Sequence, residues 1–310
     1  MVRLLGTYVA PLILLTVYFF FEYRAIVLES ERLRLEALAQ SQASTLDLFL
    51  SERRVNLVNL INDPRLSDPP DSGALQVYLQ DLKRMSETFV DLGYFDALGV
   101  QVVYAGPYPA LEKRSYRAEP WYVRLRQGHD DFIITDIYQG FRQQLHFTIA
   151  VKRTAGAKIQ VLRSTLDPGK VYEYIRSQEG SGEVFTSIVN KEGMFQLVTE
   201  QLGKASETSS FVPPAEPRVG IESSRIGGSS SQYAYSWLRM ADWALILRWS
   251  DPASHGFFAG TRLRVLGITG TVILIMFCAI VYRARELTDS ERETDRIRAQ
   301  PGQGARQFSS

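Results

Sequence analysis

Residues 131–166 read DFIITDIYQGFRQQLHFTIAVKRTAGAKIQVLRSTL. Side chains alternate sides along a strand, so a period of two marks a half-buried strand. That period runs through residues 131–138 and 143–153, and Gln139-Gly140 supplies the turn between them. A further strand covers residues 158–164. Upstream, residues 91–104 hold two short strands about an Asp96-Ala97-Leu98-Gly99 turn. A helix over residues 73–90 precedes them, with Leu75, Tyr78, Leu79, Leu82 and Met85 in register. Downstream, Asp167 caps a helix that continues to about Gln178. Helix, then antiparallel strands, then a short helix predicts an α+β domain built on one sheet.

A second, smaller unit follows the same plan. Residues 183–189 and 194–199 read as strands around an Asn190-Lys191-Glu192-Gly193 turn, and residues 232–239 turn at Met240-Ala241-Asp242 into residues 243–250. The intervening residues 200–231 are rich in Ser, Gly and Pro and are expected to form a long loop. Ahead of both units, Leu28, Leu35, Leu38, Leu46, Phe49, Leu50, Leu57, Leu60 and Ile61 fall three and four apart, until Asn62-Asp63-Pro64 ends the pattern. A helix over residues 22–62 would be roughly 60 Å long at about 1.5 Å per residue. Its stripe suits packing on its own domain and pairing with the same helix of a second chain equally, because the heptads are imperfect.

Two uncharged runs of 18 residues, 4–21 and 265–282, lie at the ends of the 310-residue chain. At about 1.5 Å per residue, such a run with an interfacial turn crosses a hydrocarbon layer of roughly 30 Å. The first is followed by Glu22-Tyr23-Arg24 rather than a small-residue cleavage site, which favours an uncleaved anchor over a signal peptide. Arg3 before the first run, and Arg283 and Arg285 after the second, favour cytoplasmic termini, although Arg262 and Arg264 sit on the opposite flank. The expected order is a cytoplasmic terminus 1–3, a span 4–21, a stalk helix 22–62, a larger module 63–179 and a smaller module 180–250. A linker 251–264, a second span 265–282 and a cytoplasmic tail 283–310 complete it.

Charge and chemistry exclude several functions. With 35 Lys+Arg against 34 Asp+Glu, the net charge of +1 offers no footprint for nucleic acid. Three scattered His and the one Cys, Cys278, provide no metal spacing and no nucleophile pair, and no G-x-S-x-G turn occurs. Neither a cofactor nor an enzymatic activity is expected. Between Tyr104 and Phe147, by contrast, nine of 44 residues are aromatic, with Arg114, Arg117, Arg124 and Arg142 interleaved. Aromatic walls with a few convergent charges suit a small-molecule pocket. Alternation places Asp136 on one face with Phe132, Ile134 and Tyr138, where its carboxylate would hold a ligand amino group or an Arg of a neighbouring segment. His146 joins that face only if the turn register pairs it with an even-numbered residue.

Several pieces, in order, resemble the double Cache extracytoplasmic sensor regions of bacterial membrane receptors, especially histidine kinases. They are Asp96-Ala97-Leu98-Gly99, Tyr104-Ala105-Gly106-Pro107-Tyr108, Tyr116 with Trp121-Tyr122, and Asp136-Ile137-Tyr138-Gln139-Gly140-Phe141-Arg142. His146 to Arg153, Val161-Leu162-Arg163-Ser164-Thr165, Gly182-Glu183-Val184-Phe185, Asn190 to Gly193 and Trp243 to Arg248 continue the match. The resemblance implies two PAS-like modules on a long helix, with a ligand in the membrane-distal one. The expected ligand-binding residues are Tyr104, Tyr108, Tyr116, Arg117, Trp121, Tyr122, Arg124, Asp136, Tyr138, Arg142 and His146. Amino-acid-binding members typically carry an Arg two positions before the Trp-Tyr pair, and here Glu119 stands there. The implied ligand is therefore a small polar or anionic metabolite.

In kinases of this type a dimerising hairpin with a phosphoacceptor His follows the second span. Here a charged helix over residues 286–300 breaks at Pro301-Gly302-Gln303-Gly304, and the last His is His255. The expectation is an inner-membrane receptor, a homodimer embedded in lipid, that is the input half of a two-component sensor without its catalytic part. Its output would pass to a separate cytoplasmic or membrane partner. The alternative is a non-sensing membrane scaffold for a periplasmic or membrane protein.

Overall fold

The computed structural model describes residues 2–156, 158–176, 184–199, 202–226, 229–250 and 259–298. Helix α1 runs unbroken from Val2 to Ile61. It ends where the sequence places the stop: the Asn62 side chain donates to the Val58 carbonyl at 2.8 Å, and Pro64 has no N–H with which to continue. The chain divides into two units, residues 32–251 and the paired ends 1–31 with 252–310. Both expected spans lie in helix, the first in α1 and the second in the C-terminal helix Ala259–Arg298. Among the described residues no helix is long and apolar enough to cross a membrane. The side chains of residues 1–12 and 259–266 lie outside that description.

The larger module of residues 32–251 is one antiparallel sheet in the order β2-β1-β5-β4-β3. Its strands are β1 (Phe89–Phe95), β2 (Gln101–Ala105), β3 (Phe132–Ile134), β4 (Phe147–Ala155) and β5 (Lys158–Leu166). Helix α2 (Ser72–Met85) starts where the Asp71 carboxylate accepts from the amides of Gly73 and Ala74. It stops five residues before the periodicity suggests, because Ser86 is extended and Phe89 already pairs with Leu166 of β5. Strand alternation then sorts the side chains. Leu92, Tyr94, Phe147, Ile149, Val151, Leu162 and Leu166 turn to a core shared with α1 and α2. Phe95, Ala150 and Val161 turn the other way, to Tyr116 and to Trp121, Tyr122 and Leu125 of helix α3 (Pro120–Gln127).

The smaller module repeats the topology. Its strands β6 (Val184–Asn190), β7 (Phe195–Val198), β8 (Val219–Ile226), β9 (Ser229–Trp237) and β10 (Trp243–Ser250) are ordered β7-β6-β10-β9-β8, strand for strand the same path. Strand β8 corrects the expectation of a loop across residues 200–231. It is an edge strand made by its ladder to β9, from Val219 opposite Ser236 to Ile226 opposite Ser229, and not by an apolar face.

Helix α1 serves both modules. Leu35, Leu46, Phe49, Leu50, Leu57, Leu60 and Ile61 are buried within the one chain, so this part of the stripe packs on its own domain, while Leu28 and Leu38 stay exposed. The Asp47 carboxylate accepts from the amides of Arg239 and Met240 in the β9–β10 turn at 2.9 Å, and Arg53 donates to Ser86 beside β1 at 2.9 Å. Between the modules, the Ile137 amide donates to Gln196 Oε1 at 2.7 Å. The two Asp136 oxygens accept from Asn190 Nδ2 of β6 and Trp243 Nε1 of β10, both at 2.8 Å. The Phe147 and Trp243 rings meet edge to face at 5.4 Å.

Position along α1 therefore decides the effect of truncating a leucine. Leu57 is 0% exposed and Leu48 is 70% exposed. Leu57→Ala should cost about 2–5 kcal/mol by loss of burial and a residual cavity, whereas Leu48→Ala should stay within about 0.5 kcal/mol. Urea unfolding of the two variants checks this, and equal midpoints would contradict the assigned face.

Candidate ligand site

The site begins with a one-residue slip. Ile134 pairs with Ile149 of β4, but four residues later Tyr138 pairs with His146, which lies just ahead of β4 and only three residues before Ile149. A one-residue slip turns side chains to the opposite face. Ile134 accordingly packs on the α1 side, while Tyr138 turns to the α3 side and stacks on His146 with ring centroids 4.4 Å apart. The expectation that Tyr138 shares a face with Phe132 and Ile134 is corrected by this slip. The register does pair His146 with an even-numbered residue. Within the slip, Thr135 and Thr148 close the gap, the Thr135 amide donating to the Thr148 carbonyl and the Thr148 amide to Thr135 Oγ1, each at 3.0 Å.

A short turn, Gly140–Arg142, then carries the chain over the opening. Gly140 has φ +52°, and a Cβ there would lie 2.8 Å from His146 Cε1 and 2.9 Å from Tyr138 Cε2. Only glycine lets the backbone come this close to both rings. Phe141 follows, edge-on to Tyr116 at 5.6 Å, with the Arg114 guanidinium 4.5 Å over its ring. Together these residues line a partly open cavity of about 220 Å³, with Leu111, Tyr116, Glu119, Tyr138, Phe141, His146 and Arg163 beside Gly140.

Arg163 forms the floor. It sits on β5 opposite Gly93, whose missing side chain leaves room for Gln101; a Cβ on Gly93 would lie 2.8 Å from Gln101 Oε1. Gln101 Oε1 accepts from Arg163 Nη2 at 3.0 Å, and Gln101 Nε2 donates to the Leu111 carbonyl at 3.2 Å. Arg163 as a whole is 2% exposed, and its guanidinium lies 4.8 Å from the Tyr116 ring centre, 5.3 Å from Phe95 and 5.8 Å from Trp121. Burial alone would disfavour its charge, but Asp91 and the hydroxyls of Tyr116 and Tyr138 outweigh that and hold it above the ordinary arginine value. Its Nε has no hydrogen-bond partner, and no carboxylate among the described residues forms an ion pair with it.

Of the residues expected at the site, Tyr116, Tyr138 and His146 line this cavity. Tyr104 is buried with its hydroxyl on Asp91 at 2.9 Å, and the Tyr108 hydroxyl donates to Gln144 at 2.9 Å. Trp121 and Tyr122 stand behind the wall against Phe95; the Tyr122 hydroxyl donates to the Asp96 carbonyl at 3.1 Å, and burial pushes its pKa up. Arg117 is exposed on the surface. Arg124 reaches Asp242 at 3.7 Å and lines a second, exposed cleft of about 220 Å³ with Asp130, Arg239 and Asp242. Asp136 lies outside the cavity lining, both its oxygens engaged by the smaller module. The Arg142 backbone belongs to the turn, and its side chain lies outside the described residues.

Leu111, Glu119, Gly140, Phe141 and Arg163 are the wall residues that aromatic and basic content did not single out. Arg163 did carry a signal, as the one charge in the otherwise uncharged run of residues 159–166. Among the described residues no cluster of His, Cys, Asp or Glu could hold a metal ion.

No family model and no curated protein matches the chain. Solved structures do. The extracellular domain of a protein assigned as a histidine kinase, rpHK1S-Z16, aligns with TM-score 0.62 and 14% identity over 74% of this chain and 97% of that one. The ligand-binding domain of the Pseudomonas fluorescens chemoreceptor CtaA, solved with L-isoleucine, aligns with TM-score 0.58 and 16% identity over 76% and 98%. That of the Pseudomonas aeruginosa amino-acid chemoreceptor PctB, solved with L-Arg, gives 0.57 and 18% over 78% and 98%. The central domain thus has the fold of histidine-kinase and chemoreceptor sensor domains, the double Cache arrangement that the sequence resemblance implies.

Proposed function

We propose that this chain is a membrane signal receptor, whose extracytoplasmic domain binds a small polar or anionic metabolite in the larger, membrane-distal module. One observation carries the reading. The Tyr116–Arg163 cavity has Tyr138 in its wall, and Asp136, two residues earlier, is hydrogen-bonded to β6 and β10 of the other module. A ligand that moves the Tyr138 segment therefore pulls on the strand that precedes the C-terminal helix. The uncharged runs 4–21 and 265–282 would anchor the two ends in the bacterial inner membrane, with both termini cytoplasmic and the chain dimeric. In this role the chain is the input part of a two-component or chemoreceptor-like system and acts on a signalling partner rather than by catalysis. The neighbouring structures solved with amino acids support a small polar ligand class.

A thermal-unfolding screen of the chain against carboxylic acids, amides, amino acids, sugars, purines and polyamines tests the reading. A ligand at 100 times its Kd should add about 2.7 kcal/mol of stability. Gly140→Ala should abolish that gain by driving a Cβ into His146 and Tyr138, and a gain that survives it would place the ligand elsewhere. Asp136→Ala leaves Asn190 Nδ2 and Trp243 Nε1 without their acceptor, at about 1–3 kcal/mol for each buried group. That variant should keep ligand binding and lose the ligand-induced protection of Trp243–Ser250 amides in hydrogen exchange. A scaffold without a ligand would show no stabilisation by any compound and would bind a protein partner equally with or without Gly140→Ala.

A further inference from the structure

Resting on that reading of the cavity, we propose that Arg163 is its ligand anchor and that the ligand is a small monocarboxylate with a short apolar tail. Buried charges in proteins are normally paired, because removing an ion from water without a counter-charge is costly. The Arg163 guanidinium is buried, touches three aromatic rings, and uses Nη2 on a neutral amide. Its Nε has no partner, and it lines the cavity directly. Asp91 helps to keep it charged from the neighbouring strand without forming an ion pair with it. A carboxylate entering the cavity would meet a planar donor group that matches its own geometry.

The other walls set the rest of the ligand. Tyr116, Tyr138, Phe141 and Leu111 present rings and an aliphatic chain. A dry cavity of roughly 150 Å³ holds a benzene molecule, so about 220 Å³ admits a carboxylate with a tail of a few carbons or one ring. Glu119, half-buried on the same wall and making no capping bond to helix α3, places a negative charge where a second ligand carboxylate would lie. That disfavours dicarboxylates.

Calorimetric titration of the full chain in detergent with acetate, butyrate, lactate and benzoate, each beside its neutral amide, tests this. At least one acid should bind, and its amide should bind about tenfold or more weakly, the cost of a lost charge-assisted hydrogen bond. Succinate should bind more weakly than butyrate, and Glu119→Gln should narrow that gap. Arg163→Gln should lose the acid while retaining native circular dichroism. If that variant does not fold, the acid–amide comparison and Glu119→Gln decide the matter on a folded chain. Equal binding of acid and amide, binding of amides alone, or undiminished butyrate binding by a folded Arg163→Gln chain would each overturn the anchor and leave the sensor reading standing. Failure of these acids together with every compound of the wider screen would overturn both.

Discussion

One extra residue between Ile134 and Tyr138 decides which side chains of this segment face the cavity and which the core. Had the β3–β4 ladder kept the register of Ile134 opposite Ile149, Tyr138 would point into the α1 core, and Ile137 would turn toward the cavity. The slip reverses both. Ile137 is buried in the core and its amide reaches Gln196, while Tyr138 stacks on His146 in the cavity wall. Asp136, at the slip itself, belongs to neither face and extends to the other module. Three consecutive residues thus serve intermodule contact, core and cavity in turn, and none can move alone.

A buried guanidinium is the second constraint, and the local sequence is arranged around it. Gly93 opposite Arg163 makes space for Gln101, Gln101 occupies one donor, and the aromatic residues of α3 and the preceding segment cover the remaining faces. Truncating Gln101 or one of the covering aromatic residues would admit water to the cation or leave a donor unmet, which is more costly in a low-dielectric interior than at the surface. The aromatic enrichment between Tyr104 and Phe147 therefore has two physical causes. Some rings line the cavity, and others, such as Trp121 and Tyr122, wall off Arg163 and fill the second core.

That double cause explains what the sequence could and could not reveal. The end of α1 at Asn62-Asp63-Pro64, the strands β5 and β10, and the repeated order of two modules were legible, because each is written in a local run of strand-forming residues or in a stop signal. Strand β8 was not, since Ser-rich edge strands are held by backbone pairing that leaves no apolar signature. At the site, Tyr116, Tyr138 and His146 were legible as aromatic or titratable residues near a turn. Asp136 was legible as a carboxylate seeking a donor, but its donors, Asn190 and Trp243, lie 54 and 107 residues away, and no local pattern encodes that pairing. Arg163 was hidden for the opposite reason. A single charge in an apolar strand is the mark of a buried site only when its neighbours on the adjoining strands are known.

The repeated topology has a mechanical consequence for coupling. In each module the central strand, β5 or β10, is hydrogen-bonded on both sides, so it shifts only with its sheet. The cavity floor, Arg163, is on β5, and the turn over it, Gly140–Arg142, is on the segment that grips β10 through Asp136. A ligand held between floor and turn would set the distance from one central strand to the grip on the other. Because packed sheets have few intermediate arrangements, such a change would pass on as a discrete displacement under the proposed function. Helix α1, bonded to the β9–β10 turn through Asp47 and packed on the larger module through Leu57 and Ile61, supplies the fixed reference against which that displacement acts.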